Sequence, residues 1–261
     1  MAPPPDSSPV PPEAARPAIL ASGLAKRFGA INAVDGIDFA VAGGETVALL
    51  GANGAGKTTT ISMLLGLLLP SAGRIEVLGA DMIRERYRVL HRINFSSPYV
   101  DLPRRLTVKQ NLLVFARLYS VRAARRRIET LAQALDLAAL LNRPTGQLSA
   151  GQRTRVSLAK ALINAPEVLL LDEPTASLDP DTADWMRGYL EQYQRERGAA
   201  ILIASHNMAE VERMARRVLM MRGGRIVDQG SPQALIERYG RRNLEEVFLD
   251  IARNRRAEAA Q

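Results

Sequence analysis

Gly51-Ala-Asn-Gly-Ala-Gly-Lys57-Thr58 decides the fold, because it matches G-x-x-x-x-G-K-[S/T] at every required position. The five residues before it are nearly all apolar, as in a strand buried on both faces, and residues 57–68 are predicted to be helical. The three glycines let the backbone turn its N–H groups toward one anion. The stretch therefore predicts a phosphate-binding loop between a strand and a helix, with Lys57 for the phosphates and Thr58 for Mg²⁺.

Two further apolar strands end in side chains that suit the same chemistry. Val168-Leu-Leu-Leu-Asp172-Glu173-Pro174 carries two carboxylates at its end, and Ala200-Ile-Leu-Ile-Ala-Ser205-His206 ends in an imidazole. Ligands of parallel sheets sit beyond the carboxyl ends of the strands. We therefore predict Asp172 as a Mg²⁺ ligand, Glu173 as the general base for an attacking water, and His206 as a partner of the phosphate or the water.

Composition limits the classes of protein that remain. The 261 residues hold no cysteine, which excludes a disulfide scaffold, a thiolate metal site and a cysteine nucleophile. The longest apolar run, residues 63–69, is far shorter than the ~20 residues of a membrane-spanning helix. The net charge of +8 suggests nucleic acid, acidic headgroups or polyphosphate as partners. It is equally explained by a bias toward Arg in the composition. Aromatic residues are only 5%, which weighs against a nucleic-acid stacking surface.

Alternating strands and helices predict an α/β fold with a parallel sheet. Strands are expected over 19–24, 37–41, 46–50, 168–171 and 200–204, while residues 107–164 are almost wholly helical in pattern. Thr107 with Gln110 and Ser149 with Gln152 each have the spacing of a capping box at a helix start.

Leu148-Ser149-Ala150-Gly151-Gln152 lies between the phosphate loop and the Asp-Glu strand, and this order resembles the ATP-binding-cassette (ABC) ATPases. The resemblance covers about residues 18–240. It implies a P-loop NTPase (RecA-like) core with a parallel sheet, an N-terminal antiparallel β subdomain and an inserted α-helical subdomain at about 98–164. Residues 1–17 are expected to be a disordered proline-rich arm, and residues 241–261 a C-terminal helical tail.

The resemblance also implies roles for single residues. Phe28 corresponds to the aromatic residue that stacks on adenine, Ser177-Leu178-Asp179 to the loop that crosses between subunits, and Glu173 and His206 to the catalytic pair. Thr58 and Asp172 are the implied Mg²⁺ ligands. The implied ATP-binding residues are Phe28, Gly51, Ala52, Asn53, Gly54, Ala55, Gly56, Lys57, Thr58, Thr59, Ser149, Gly151, Gln152 and Asp179.

Two positions depart from the family pattern. Ala150 replaces a glycine of the usual L-S-G-G-Q, which a helical residue tolerates. The family's glutamine after the phosphate loop is missing, since Ser97 or Pro98 occupies its place. The second departure weakens the expected coupling to a partner, but it does not weaken nucleotide binding.

The resemblance implies the ATP-binding and ATP-hydrolysing subunit of a transporter. Its partners would be a transmembrane permease and a second cassette, either a second copy or a related subunit, at the cytoplasmic face of the cell membrane. Asn243-Leu-Glu-Glu-Val-Phe-Leu249 resembles the short tail of exporter subunits. The alternative is a soluble non-transport ABC ATPase that acts on nucleic acid or ribosomes.

Overall fold

The computed structural model describes residues 16–97, 101–176 and 178–258. Most of the predicted N-terminal arm, Pro98 and Ser177 lie outside these residues. The strands are β1 Ile19–Phe28, β2 Ile31–Val41, β3 Thr46–Gly51, β4 Ala72–Val77, β5 Ala80–Asp81, β6 Ile93–Ser96, β7 Val168–Asp172, β8 Ala200–Ser205, β9 Arg217–Arg222 and β10 Arg225–Gly230. The α-helices are α1 Lys57–Leu64, α2 Val108–Leu118, α3 Ala124–Ala134, α4 Ala150–Ala161, α5 Pro180–Arg197, α6 Met208–Met214, α7 Pro232–Tyr239 and α8 Leu244–Glu258.

The central sheet has the strand order β10-β9-β3-β8-β7-β6, and all its neighbours are parallel except β10 and β9. β3 lies in the middle and is buried throughout. Val47 and Leu49 belong to one hydrophobic core and Ala48 and Leu50 to another, because successive side chains of a strand face opposite sides.

The register of this sheet brings the predicted site residues together at the carboxyl ends of its strands. Leu50 of β3 lies opposite Ser205 of β8, and Asp172 of β7 lies opposite Ala204 of the same strand. The phosphate loop, the carboxylates after β7 and His206 after β8 therefore start from neighbouring strand ends.

A second sheet, with the order β2-β1-β4-β5, is antiparallel throughout. Its first two strands are longer than the predicted 19–24 and 37–41, because they continue into a tight hairpin that joins Phe28 to Ile31. Buried and exposed side chains do not alternate regularly along the extra residues, and the pairing of β1 with β2 has register shifts between Ala21 and Arg27. The alternation that predicts a strand from the sequence is therefore lost there.

The helix after the phosphate loop is one turn shorter than predicted, since α1 ends at Leu64 rather than near residue 68. Gly66 adopts a left-handed φ of 67°, and the N–H of Leu67 turns back to the carbonyl of Ser62. This is the usual way in which glycine ends a helix.

The helices α2, α3 and α4 lie between β6 and β7 in the chain, and together with α5 they share a second hydrophobic core with side chains of β7 and β8. Both predicted capping boxes are confirmed. Thr107 Oγ1 accepts from the N–H of Gln110 at 3.1 Å, and Ser149 Oγ accepts from the N–H of Gln152 at 3.2 Å.

Across the described residues, none of the helices has both the length and the apolar character needed to cross a membrane.

Candidate functional site

The phosphate loop packs so closely that two of its glycines have no room for a side chain. A Cβ at Gly51 would lie 2.6 Å from the carbonyl oxygen of Met221, and one at Gly56 would lie 2.5 Å from that of Ala33. Gly56 also has a φ of 105°, which L side chains rarely adopt. These contacts fix the loop between β9 and the start of β2, ahead of the N-terminus of α1.

Lys57 lies inside this loop with only 7% of its surface exposed. Its ammonium donates to the carbonyl of Gly51 at 2.6 Å and to that of Ala52 at 3.3 Å. Burial lowers the pKa of Lys57, and the carboxylates of Glu173 and Asp172 oppose this effect. The lysine is therefore a buried cation that faces two acids and is satisfied by backbone oxygens, which an anionic ligand could replace.

Asp172 ends β7 with 2% of its surface exposed, and its Oδ2 accepts from the hydroxyl of Thr58 at 3.3 Å. Burial raises the pKa of Asp172. The Thr58 hydrogen bond lowers that pKa, nearby Glu173 raises it, and Lys57 lowers it. A hydroxyl and a carboxylate oxygen side by side form the hard-oxygen set that Mg²⁺ prefers, so Thr58 and Asp172 fit a magnesium ion.

Glu173 has a left-handed φ of 51°, which is uncommon for a residue with a side chain. Its N–H donates to the carbonyl of Ala204 at 2.8 Å, so β8 holds this conformation in place. Its Oε1 lies 2.7 Å from Nδ1 of His206, whose side chain is 63% exposed. Unusual backbone conformations of this kind concentrate at functional sites.

A cleft of about 530 Å³ opens over Lys57, Asp172 and Glu173, whereas His206 is not among its lining residues. It brings together the phosphate loop, both carboxylates and a hairpin segment that the sequence did not indicate. The lining residues are Ile31, Asn32, Ala33, Asn53, Gly54, Ala55, Gly56, Lys57, Thr58, Thr59, Asp172, Glu173 and Gly223. Ile31 is 69% exposed, and nothing in the local sequence marks this segment as part of the site, because only the folding of the hairpin brings it to the cleft.

Gly51 and Ala52 are not among the residues that line the cleft, and their carbonyls accept hydrogen bonds from Lys57. Phe28 is not among the lining residues either, and its side chain is 48% exposed. The ammonium of Lys26 lies 5.0 Å from the centre of its ring.

Ser149, Gly151, Gln152 and Asp179 do not line the cleft either. Ser149 caps the exposed N-terminus of α4. Asp179 caps α5, where its Oδ1 accepts from the N–H of Thr182 at 2.9 Å, and this backbone hydrogen bond lowers the pKa of Asp179. The two helix starts are neighbours, since a Cβ at Gly151 would lie 4.0 Å from Thr182. Together they form a second group of predicted residues, separate from the first.

The place of the missing glutamine is partly described. Ser97 follows β6 with 6% of its surface exposed and does not line the cleft, and Pro98 lies outside the described residues.

Comparison with known proteins places the chain in a broad class. A family model described as ABC transporter matches residues 34–176. The chain is 41% identical over 214 residues to "Nod factor export ATP-binding protein I" of Burkholderia lata, which covers 81% of this chain and 70% of that protein. It is 40% identical over 225 residues to "Daunorubicin resistance ATP-binding protein DrrA3" of Streptomyces coeruleorubidus, with 84% and 69% covered.

A solved structure titled "Structure of ATP binding subunit of ABC transporter" superposes with a TM-score of 0.83 at 26% identity, and covers 90% of this chain and 99% of that one. This likeness confirms the predicted fold class, with its P-loop core, antiparallel sheet and helical insert.

Proposed function

The chain belongs to the ABC transporter family, and on this premise we propose that it is the ATP-hydrolysing subunit of an exporter, which drives a transmembrane permease. Residues 18–240 form the ATPase domain in this proposal and residues 241–261 its tail. The observation that carries it is the single cleft in which the phosphate loop, Lys57, Asp172 and Glu173 meet. The alternative, an ABC ATPase acting on nucleic acid or ribosomes, is not favoured by the relatives.

ATP is the proposed substrate, with its phosphates against the loop and the ammonium of Lys57. Support comes from the buried position of Lys57, whose ammonium lies near two acids and donates to the backbone carbonyls of Gly51 and Ala52. Thr58 and Asp172 would hold Mg²⁺, which neutralises phosphate charge when bound.

Glu173 is the proposed general base, which takes a proton from the attacking water as the water reaches the terminal phosphorus. Its burial to 8% exposure beside the cleft supports this role. His206 is proposed to hold the Glu173 carboxyl in place through the 2.7 Å contact and to face the terminal phosphate from the neighbouring strand end.

A second cassette is the proposed source of the remaining ATP contacts. Ser149, at the N-terminus of a twelve-residue helix, lies apart from the cleft of its own chain. A helix N-terminus attracts anions through its free N–H groups and its dipole. We propose that Ser149, Gly151 and Gln152 of one chain close over the ATP of a second chain, with Asp179 near the contact. In this proposal ATP binds the paired state more tightly than the single chain, and this difference in affinity drives the pairing.

The proposed permease contact uses exposed apolar side chains near the end of α1. Leu67 is 76% exposed and Tyr87 is 76% exposed. Arg86 joins the two segments, because it donates to the carbonyl of Gly66 at 3.2 Å and to the hydroxyl of Tyr87 at 3.2 Å. Exposed apolar side chains that are held together in this way are typical of an interaction surface. The chain would then be peripheral on the inner face of the cell membrane.

The proposal is tested by purifying tagged full-length chain from native membranes in mild detergent and identifying what accompanies it by mass spectrometry. A polytopic membrane protein is expected. Leu67→Asp places a charge in the proposed contact and is expected to lower recovery of that partner at least about 10-fold, since burying an unpaired charge at an interface costs several kcal/mol.

Leu249→Asp is the matched control, because Leu249 is 40% exposed on α8, in a different part of the chain. It should recover the membrane protein as the unaltered chain does. Both variants should bind ATP normally. Recovery of ribosomal or DNA-associated partners in place of a membrane protein would contradict the transport function and leave the ATP chemistry in place.

A further inference from the structure

Glu210 is a carboxylic acid in the interior of the protein. It lies in the first turn of α6 with 1% of its surface exposed, close to the carboxyl end of β8. Its Oε2 accepts from the hydroxyl of Ser205 at 2.6 Å. Ser205 is itself fully buried and is the last residue of β8, directly before His206. Because a buried carboxyl is costly to desolvate, the contacts that Glu210 makes must offset that cost.

The same residue closes the turn that carries His206. The N–H of Glu210 donates to Oδ1 of Asn207 at 3.2 Å, which caps α6, and the N–H of Asn207 donates to Oγ of Ser205 at 3.0 Å. Ser205, Asn207 and Glu210 therefore form a closed hydrogen-bonded ring through one hydroxyl. His206 projects from this ring with an imidazole that is 63% exposed and in contact with Glu173.

Glu210 also faces the loop that carries Glu173. Burial raises the pKa of Glu210. Hydrogen bonding from Ser205 and from Thr175 lowers that pKa, the charge of Glu173 raises it, and Arg187 of α5 lowers it. Thr175 is buried and lies two residues beyond Glu173. One carboxyl thus lies against the residue before His206 and against the loop just after Glu173.

We propose that Glu210 is a positioning residue, which holds the β8–α6 turn so that His206 meets Glu173 in the geometry needed for hydrolysis. This inference rests on the proposed ATPase function. Glu210 acts through the Ser205 hydroxyl and touches neither the phosphate loop nor its ligand, since it is absent from the lining of the cleft. Its loss should therefore affect turnover and leave ATP binding intact.

The first test compares Glu210→Ala with Glu210→Gln in the purified full-length chain. Alanine removes the acceptor of the Ser205 hydroxyl, and kcat for ATP should fall about 10- to 100-fold, while KM for ATP stays within about twofold. Glutamine keeps an acceptor oxygen of the same reach and should restore kcat to within about threefold of the unaltered chain. Ser205→Ala removes the same hydroxyl–carboxyl contact and should also lower kcat, and the double variant should lose less than the sum of the two single variants, because they share that contact.

Arg213→Ala is the matched control on the same helix. Arg213 pairs with Asp184 and Glu191 of α5 at the surface, so its removal loosens the contact of α6 with α5 without touching Ser205. Its kcat should stay within about twofold, since exposed ion pairs contribute little.

A second readout is independent of turnover. The chain has two histidines, His91 and His206, so the imidazole NMR signals can be assigned with a His91→Gln variant. Glu210→Ala and Ser205→Ala should each shift the His206 signals and leave those of His91 in place. This measurement also serves if Glu210→Ala does not fold, because Ser205→Ala and Glu210→Gln remain.

Three kinetic outcomes would overturn the inference: unchanged kcat in Glu210→Ala, a Glu210→Gln variant as impaired as Glu210→Ala, or additive losses in the Ser205/Glu210 double variant. His206 signals that are unchanged in both alanine variants would also overturn it. An unaltered chain without any ATP turnover would instead contradict the proposed function, and the NMR comparison would still decide the positioning role.

Discussion

Glu173→Gln is expected to lower ATP turnover at least about 100-fold and to leave ATP affinity within about twofold. Glutamine has the shape of glutamate but does not take a proton from water. Glu173 is 8% exposed, and its unusual φ of 51° is held by the backbone hydrogen bond to Ala204, which the substitution does not remove. The measurement is steady-state phosphate release together with binding of a fluorescent ATP analogue.

Glu167→Gln is the control for this prediction. Glu167 immediately precedes β7, at the end of that strand opposite Glu173, and pairs with Arg92 at 2.6 Å away from the cleft. The same chemical change there should leave turnover within about twofold. If Glu173→Gln hydrolysed ATP at the unaltered rate, Glu173 would not be the base.

Lys57→Ala is expected to weaken ATP binding at least about 100-fold. A charge-assisted hydrogen bond contributes about 1.5–3 kcal/mol, and at this buried site Lys57 would make such bonds to phosphate oxygens. Removal of the ammonium also takes away the positive charge that faces Asp172 and Glu173, which raises the repulsion of these carboxylates toward an anionic ligand. Titration of ATP by calorimetry measures the loss directly.

Lys109→Ala is the matched control, because Lys109 is exposed on α2 and takes no part in the cleft. Its ATP affinity should not change. The melting temperature of Lys57→Ala is expected to stay close to that of the unaltered chain, since the lost hydrogen bonds to Gly51 and Ala52 are offset by the removal of a costly buried charge. Unchanged ATP affinity in Lys57→Ala would refute the role of the loop.

Much of the fold and of the site can be predicted from the sequence, because the signals involved are local. The phosphate loop needs glycines at fixed spacing between a buried strand and a helix, and the two capping boxes need Ser149 with Gln152 and Thr107 with Gln110. Such patterns depend on neighbours in the chain, so they can be identified without tertiary structure.

The features that sequence reasoning misses depend on distant parts of the chain. Ile31 lines the cleft because the β1–β2 hairpin folds over the phosphate loop, and Gly223 joins it from the turn that follows β9. Glu210 has the pattern of an ordinary acid in an amphipathic helix, and only the packing of α6 beneath β8 reveals its burial. The end of α1 is set by Gly66, a signal that is present but outweighed by the apolar run around it.

Pairing of two chains is central to the proposed function, in which each ATP is enclosed by the phosphate loop of one chain and the Ser149 helix of another. The most direct test is the mass of Glu173→Gln in solution, measured by light scattering with Mg²⁺ and saturating ATP. We expect twice the 28.5 kDa of the single chain with ATP, and the single-chain mass with ADP. Adding Ser149→Arg should prevent pairing while ATP still binds, whereas Thr107→Arg, which removes the equivalent capping box of α2, should not. A Glu173→Gln chain that binds ATP and stays at 28.5 kDa, or pairs as well with Ser149→Arg, would contradict the proposed enclosure of ATP between two chains.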